Sequence, residues 1–255
     1  MAKPVRRATL TAQIEDALRE DIISGTFAPG QRLTTAELAL RYQVSATPLR
    51  EALQRLAARK LVEIDPGLGA TVPPISRAHL RDTYRVREML EVAAVARSIE
   101  RADARWEFRV RELFGEFQMA VALSQGGGDD GLLSWSPAHR AFHEGLMANC
   151  ESPWLKSLLH VINDHSERYR MLSARTGVRD PIGEHAAIFE AALARDVDAA
   201  TEALRQHLER TVEVLECSLP VIDADDTLAQ GSDGQARRRR AVGAAAGSVT
   251  PRLSA

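Results

Sequence analysis

The stretch VSATPLREALQRLAA (residues 44–58) decides how the front of this chain folds. Ser45 stands where a helix N-cap would, and Pro48 falls in the first turn, where a missing N–H costs nothing. Leu49, Ala52, Leu53 and Leu56 recur at the spacing of one buried helix face, while Thr47, Arg50, Gln54 and Arg55 take the opposite face. Upstream, Thr34 can cap a short helix through Arg41 that carries Leu38 and Ala39 inward, and the chain turns again at Gln43 and Val44. Before it, Leu10, Ile14, Ala17, Leu18 and Ile22 mark a first helix that ends at Gly25. Two short helices at this separation, the second starting on small and hydroxyl residues, predict a helix-turn-helix whose second member enters the major groove N-terminus first. A wing follows: Leu61 to Ile64 reads as a strand, Asp65 to Gly69 as a turn and Ala70 to Val72 as the return strand. Periodicity alone leaves open a small three-helix module that binds no DNA.

The whole chain has 255 residues, 45% hydrophobic and 27% charged, which excludes a disulfide-stapled miniprotein and a mostly disordered chain. Apolar stretches such as residues 91–96 fall short of the roughly 18 to 20 residues that span a bilayer, and Met1 to Leu10 is basic with no apolar core behind it. No membrane association is expected. Cys150 and Cys217 fit reduced thiols and a cytoplasmic protein. Residues 1–76 carry 10 basic and 8 acidic side chains, residues 77–220 carry 18 and 23, and residues 221–255 carry 5 and 4. A slightly cationic front joined to an acidic body suits an N-terminus that meets a polyanion. Pro73 and Pro74, with Ser76 as the next N-cap, place a boundary that divides the chain into a DNA-binding domain (1–74) and a second domain (75–220). Residues 221–255 lack aromatics and any sustained apolar period, so a disordered tail is expected, and Arg237 to Arg240 within it reads as a solvated run or a charge contact to nucleic acid.

The second domain shows no strand alternation. Ser136-Pro137, Ser152-Pro153 and Asp180-Pro181 read as helix starts, giving helices over 77–101, 105–124, 136–149, 153–173, 180–194 and 197–218. The fold class is therefore mainly α, a winged helix-turn-helix followed by an all-α antiparallel helical bundle, with the loop from Gly126 to Gly131 as its most flexible join. Trp106, Trp135 and Trp154 read as packing residues. His139 and His143 lie four apart and share one helix face; His185 and His207 sit on two later helices among apolar neighbours. An imidazole facing a bundle core needs partners, either a shared metal ion or nearby carboxylates, and spacing does not choose between them.

The front domain resembles the winged helix-turn-helix of GntR-family transcription regulators. The likeness runs from Ser24-Gly-Thr-Phe-Ala-Pro-Gly-Gln-Arg-Leu33 through Glu37-Leu-Ala39 and Val44-Ser-Ala-Thr-Pro-Leu-Arg-Glu-Ala-Leu53 to Leu56 and Leu61-Val62. By that resemblance Thr34, Thr35, Ser45, Ala46, Thr47, Arg50 and Arg55 lie at the DNA, and Gly67, Leu68 and Gly69 form the wing tip in the minor groove. This chain has Ala36 and Ala46 where relatives commonly carry arginine, and Leu68 where they are often basic, so its operator differs from theirs and its affinity leans on Arg50, Arg55, Lys3, Arg6 and Arg7. The rear domain, through Arg87-Glu-Met-Leu-Glu91, Phe142-His143, Leu146, Glu184-His185, Ala191-Ala192, Asp196, Ala199 and His207, resembles the FCD effector domain of the FadR-type branch. Many such domains bind a divalent metal through one Asp and three His. Mapped here, the histidines are His143, His185 and His207, and the Asp position holds His139.

A neutral nitrogen in place of an anionic oxygen favours Zn, Ni or Co over Mn or Mg, and four neutral ligands leave the metal's charge free to attract an anion. The alternative is that His139 swings away. Arg87 and Arg168 are the candidate anchors for a carboxylate effector, Arg87 having as its alternative a salt bridge to Glu88 or Glu91, and Tyr169 and Arg170 also reach the cavity region. The expected protein is a metabolite-responsive regulator, a repressor, that binds a palindromic double-stranded operator as a homodimer, and it is not an enzyme. Two rivals remain: a sensor for which the metal is itself the effector, and a metal-dependent enzyme for which no convincing general base is present.

Overall fold

The computed structural model describes residues 10–66, 69–124, 131–173 and 181–218. Helix α1 (Leu10–Ile23) buries Ile14, Leu18 and Ile22, while Leu10, the first member of the expected stripe, stays exposed. Gly25 takes φ +79 as the chain leaves α1, a conformation that favours glycine. Helix α2 (Thr35–Tyr42) starts with a full capping box: the Thr34 hydroxyl accepts from the Glu37 N–H at 3.2 Å, and the Glu37 carboxylate accepts from the Thr34 N–H at 3.3 Å. Helix α3 (Ala46–Ala58) buries Leu49, Ala52, Leu53 and Leu56 as expected. Ser45 occupies its N-cap position but its side chain makes no capping bond. Pro48 removes one of its two possible donors: it sits at the third helical position and has no N–H for an N-cap oxygen to accept.

Three short strands close the module. β1 (Arg32–Leu33), β2 (Glu63–Asp65) and β3 (Gly69–Thr71) form an antiparallel sheet in the order β1-β3-β2, with Leu33 opposite Ala70 on one side and Ile64 opposite Ala70 on the other. The wing strands are thus shifted from the expected 61–64 and 70–72; Leu61 and Val62 instead drop into the core beneath α3. Gly69, at φ +115, admits no side chain, since a Cβ there would lie 2.2 Å from the Leu33 carbonyl oxygen. Gly67 and Leu68 lie outside the described residues, as do Lys3, Arg6, Arg7, the loop before Gly131, Asp180 and the whole tail.

After an extended Pro73–Ile75 connector, the Ser76 hydroxyl caps α4 (Arg77–Glu100) by accepting from the His79 N–H at 3.1 Å. Then come α5 (Ala104–Ser124), α6 (Gly131–Leu146), a 3-10 turn (Ala148–Cys150), α7 (Pro153–Ser173), α8 (Pro181–Leu193) and α9 (Val197–Ser218). Helix α6 begins five residues ahead of the expected Ser136 start, so Pro137 lies inside it. Phe114, Phe117, Phe142, Ile188, Leu204 and Leu208 fill the bundle core, and each such side chain taken from water contributes roughly 1.5–3 kcal/mol. Trp106 is buried with its Nε1–H on the Gly145 carbonyl at 3.1 Å, whereas Trp154 is exposed rather than packed. Helix α1 rests on α7, where the Gly25 Cα faces Leu172. Among the described residues no helix is long and apolar enough to cross a membrane.

Candidate functional site

The winged module presents one groove. Thr35 at the start of α2, Arg50 and Gln54 on α3, and Ile64, Asp65 and Gly69 of the wing line a cleft of about 190 Å³. Ser45, Thr47 and Arg50 are exposed and Ala46 half-buried at the α3 N-terminus, so those four share the outward end of the helix. Thr71 donates to Asp65 at 2.9 Å and ties β3 to the β2 side of the wing. Thr34 is committed to its capping box. Arg55 lies 3.4 Å from Glu15 on α1, so part of its charge is spent inside the protein.

The second site is built in the bundle core. α6 carries His139 and His143, α8 carries His185 and α9 carries His207; one ring nitrogen of each lies within 4.8 Å of the others, and all four side chains are buried. His143 Nε2 and His185 Nε2 are 3.2 Å apart. Phe117 closes the apolar side, with its ring edge-on to His139 and His185. Burial first, and then Arg170 and the neighbouring imidazoles, hold His139 well below the usual histidine range; for His143 burial comes first, then His185 and Arg87. Neutral rings of this kind offer lone pairs. Two of the histidines also have the backing that metal ligands require: His207 Nδ1 donates to Glu184 at 3.0 Å, and the buried Glu91 Oε2, which makes no hydrogen bond, lies 3.8 Å from His143 Nδ1. The donor set therefore fits a divalent ion of nitrogen preference.

His139 is held differently. Arg170, which can only donate, is 2.6 Å from His139 Nδ1 and 3.4 Å from Nε2, so the nearer nitrogen, Nδ1, is the one placed to accept from it. Ligation by His139 requires either a ring turn or a displaced Arg170. The charge balance also differs from four bare neutral ligands, because Glu91 and Glu184 stand directly behind the imidazoles.

Guanidinium groups converge beside the imidazoles. Arg87, Arg140 and Arg170 line, with His139, His143 and Glu167, a cavity of about 10 Å³; a neighbouring cavity of about 30 Å³ touches Arg87, Trp135, Arg170 and Thr211 together with His139, His185 and His207. These hold little more than a water molecule. Arg87 is both things at once, a cavity residue and the salt-bridge partner of Glu91, with Nε and a terminal nitrogen at 3.0 Å. Burial works against its charge, but Glu91 and Tyr84 beside it outweigh that and keep its pKa raised. Arg168 is not here. It is buried at the connector, where it donates to the Pro73 carbonyl. Arg140 and Glu167 are the functional candidates that the sequence reading misses, whereas Glu91 is the salt-bridge partner it names as an alternative for Arg87; the signal for the missed pair is adjacency, since Arg140 follows His139 and Glu167 lies three before Arg170.

Known proteins match both halves. Residues 10–72 match the family described as bacterial regulatory proteins, gntR family, and residues 82–210 match the FCD domain. The uncharacterized HTH-type transcriptional regulator BphR of Paraburkholderia xenovorans (strain LB400) is 36% identical over 219 residues, covering 84% of this chain and 89% of its own length. The HTH-type transcriptional repressor GlaR of Escherichia coli (strain K12) is 31% identical over 206 residues, covering 78% and 92%. Among solved structures, E. coli McbR/YncC superposes with a TM-score of 0.69 over 82% of this chain and 98% of that one at 24% identity, a likeness of fold.

Proposed function

This chain belongs to the GntR family of bacterial regulatory proteins and carries an FCD domain, and from that premise we propose that it is a metabolite-responsive repressor whose bundle holds a divalent metal and a small anionic effector. That it is a DNA-binding transcription regulator and not an enzyme follows from the family. The observation that carries the rest is the juxtaposition of four buried imidazoles with three guanidiniums around two neighbouring cavities. His143, His185 and His207 are the ligands, with Zn or Ni preferred by neutral nitrogen donors. When bound, the ion supplies a Lewis-acidic position for an anionic oxygen. Arg87, Arg140 and Arg170 take the effector's remaining charge, Arg170 and Arg140 replacing Arg168 in that role. Repression is supported by the name of the relative GlaR, and a palindromic operator read by a homodimer by the winged module itself.

A second reading has one observation in its favour. Cavities of about 10 and 30 Å³ suit an ion better than an organic acid, which favours the metal as the effector itself. Titrating Zn or Ni against DNA binding, with and without a panel of carboxylic acids, separates the two: an acid that adds to the metal's effect supports the metabolite reading, and a full effect from metal alone supports the sensor. The double variant His143→Ala, His185→Ala is expected to lose bound metal in elemental analysis; an unchanged metal content rejects the site under both readings.

A further inference from the structure

A charge network runs from the imidazole cluster to the winged domain. Arg170, against His139, also donates to Glu167 at 2.7 Å. Glu167, which the Ser136 hydroxyl also reaches, lies 3.9 Å from Arg140. Burial pushes the Glu167 carboxyl up, but Arg170, Ser136 and Arg140 outweigh it and hold it below its ordinary value. Arg140, next to His139 on α6, is 3.6 Å from Oδ1 of Asp164 on α7. The same oxygen accepts from Arg19 of α1 at 2.9 Å, while Oδ2 takes Arg59, just past the end of α3. Asp164 is wholly buried.

Carboxylates are the scarce component. Arg19, Arg59, Arg140 and Arg170 share Asp164 and Glu167, and Glu15, 3.7 Å from Arg59, adds a third acid only at the winged-domain end. Buried charges are weakly screened, so a change in the demand of one guanidinium is felt by the others. Arg140 and Arg19 compete for a single oxygen, one from the sensor bundle and one from the DNA-binding module. We infer that Asp164 is a positioning residue that couples the bundle cavity to the winged domain through this competition. An anion that satisfies Arg140 or Arg170 leaves Asp164 to Arg19 and Arg59 and tightens the joint; a cation on the imidazoles repels Arg170, draws Glu167 to it, and sends Arg140 to Asp164. Those two directions rest on the effector reading above, whereas the coupling itself does not.

The test is a double-mutant cycle in the full-length protein, read by fluorescence anisotropy on a promoter fragment that the wild type retains, with no metal or acid added. Arg140→Gln is expected to change DNA affinity by about 5-fold or more in the wild-type background and by less than about 2-fold in the Asp164→Asn background. Equal shifts in both backgrounds, or none in either, overturn the coupling. A purely structural Asp164 would weaken DNA binding without erasing the Arg140 effect. Should Asp164→Asn fail to fold, Arg19→Gln, on the partly exposed side of the joint, takes its place in the cycle: a diminished Arg140 effect supports the coupling, and an undiminished one overturns it. Zinc uptake, titrated separately on the wild type, reads the metal site by itself: a wild type that takes up no zinc refutes the metal reading and leaves the cycle to decide the coupling.

Discussion

Replacing Arg50 by alanine separates DNA reading from folding. Arg50 is exposed on α3, whose core contacts come from Leu49, Ala52, Leu53 and Leu56, and it makes no ion pair among the described residues. Nothing buried is lost, and alanine is at least as good a helix former, so stability should stay within about 0.5 kcal/mol of wild type. Arg50 lines the groove between α3 and the wing, so if that groove takes the duplex the guanidinium meets base edges or phosphates there. A bidentate base contact is worth about 1–3 kcal/mol; two copies in the proposed homodimer make about 2–6 kcal/mol, a loss of roughly 30-fold to above 10⁴-fold in operator affinity. If Arg50 meets phosphate instead, the variant weakens binding to every sequence and flattens the salt dependence by about one counterion per copy. Anisotropy titrations at several salt concentrations on specific and scrambled fragments, with thermal unfolding alongside, distinguish these. Operator affinity within about 2-fold of wild type would refute the placement of α3 at the DNA. So would a drop in stability like that of Leu53→Ala, for which about 2–5 kcal/mol is expected.

Thr34→Ala removes the hydroxyl half of the α2 capping box, leaving the Thr34 N–H on the Glu37 carboxylate, and is expected to cost about 0.5–2 kcal/mol in urea unfolding; an unchanged midpoint would show that the hydroxyl contributes nothing. At the connector, burial, followed by His165 and Arg168, lowers the pKa of His79, while Asp82 opposes and Lys60 adds to the shift. His165, whose Nε2 donates to the Arg59 carbonyl, is lowered mainly by burial, then by Arg168 and Arg59, against the opposing Arg59 carbonyl and Asp164. Because both folded values lie below the unfolded one near 6.5, the unfolded chain binds more protons as pH falls. Their contribution is complete above about pH 6.5 and is lost as pH falls through the folded values. Melting temperatures followed from about pH 7.5 to about pH 5.5 should decline less steeply in His79→Gln, His165→Gln than in wild type, and equal slopes would rule out a role for the pair.

What was legible in the chain is what local chemistry dictates. The helices expected over 153–173 and 197–218 are found as Pro153–Ser173 and Val197–Ser218, because apolar period and capping residues act within a few positions. Ser136-Pro137 misleads as a start signal because the helix begins upstream at Gly131, which places Pro137 in its interior at the expense of one intrahelical hydrogen bond. Strand β1 has two residues, and what makes it a strand is β3, some forty positions away, which no local pattern announces. The i, i+4 pair His139 and His143 is visible on one helix; that α8 and α9 bring His185 and His207 to the same point is tertiary, and came through the family resemblance. Arg168 and Arg170 differ by two positions, about 200° around the helix, so they must face opposite ways. Arg170 meets His139, and Arg168 meets the connector.

Those small cavities also constrain how the proposed effector would act on the bundle. A ligand entering about 10 or 30 Å³ cannot settle beside the existing side chains; it must displace some of them. The guanidiniums it seeks are matched already, Arg87 with Glu91 and Arg170 with Glu167, so each oxygen it brings sets a buried carboxylate free. A buried carboxylate without a partner costs several kcal/mol and takes the nearest cation available. For Glu167 that cation is Arg140, and what Arg140 leaves behind is Asp164, with Arg19 of α1 and Arg59 beyond α3 already on its two oxygens. Occupancy and domain joint thus draw on one limited set of charges, so that binding at the imidazoles without consequence for the winged module would need a ligand that disturbs neither Arg140 nor Arg170.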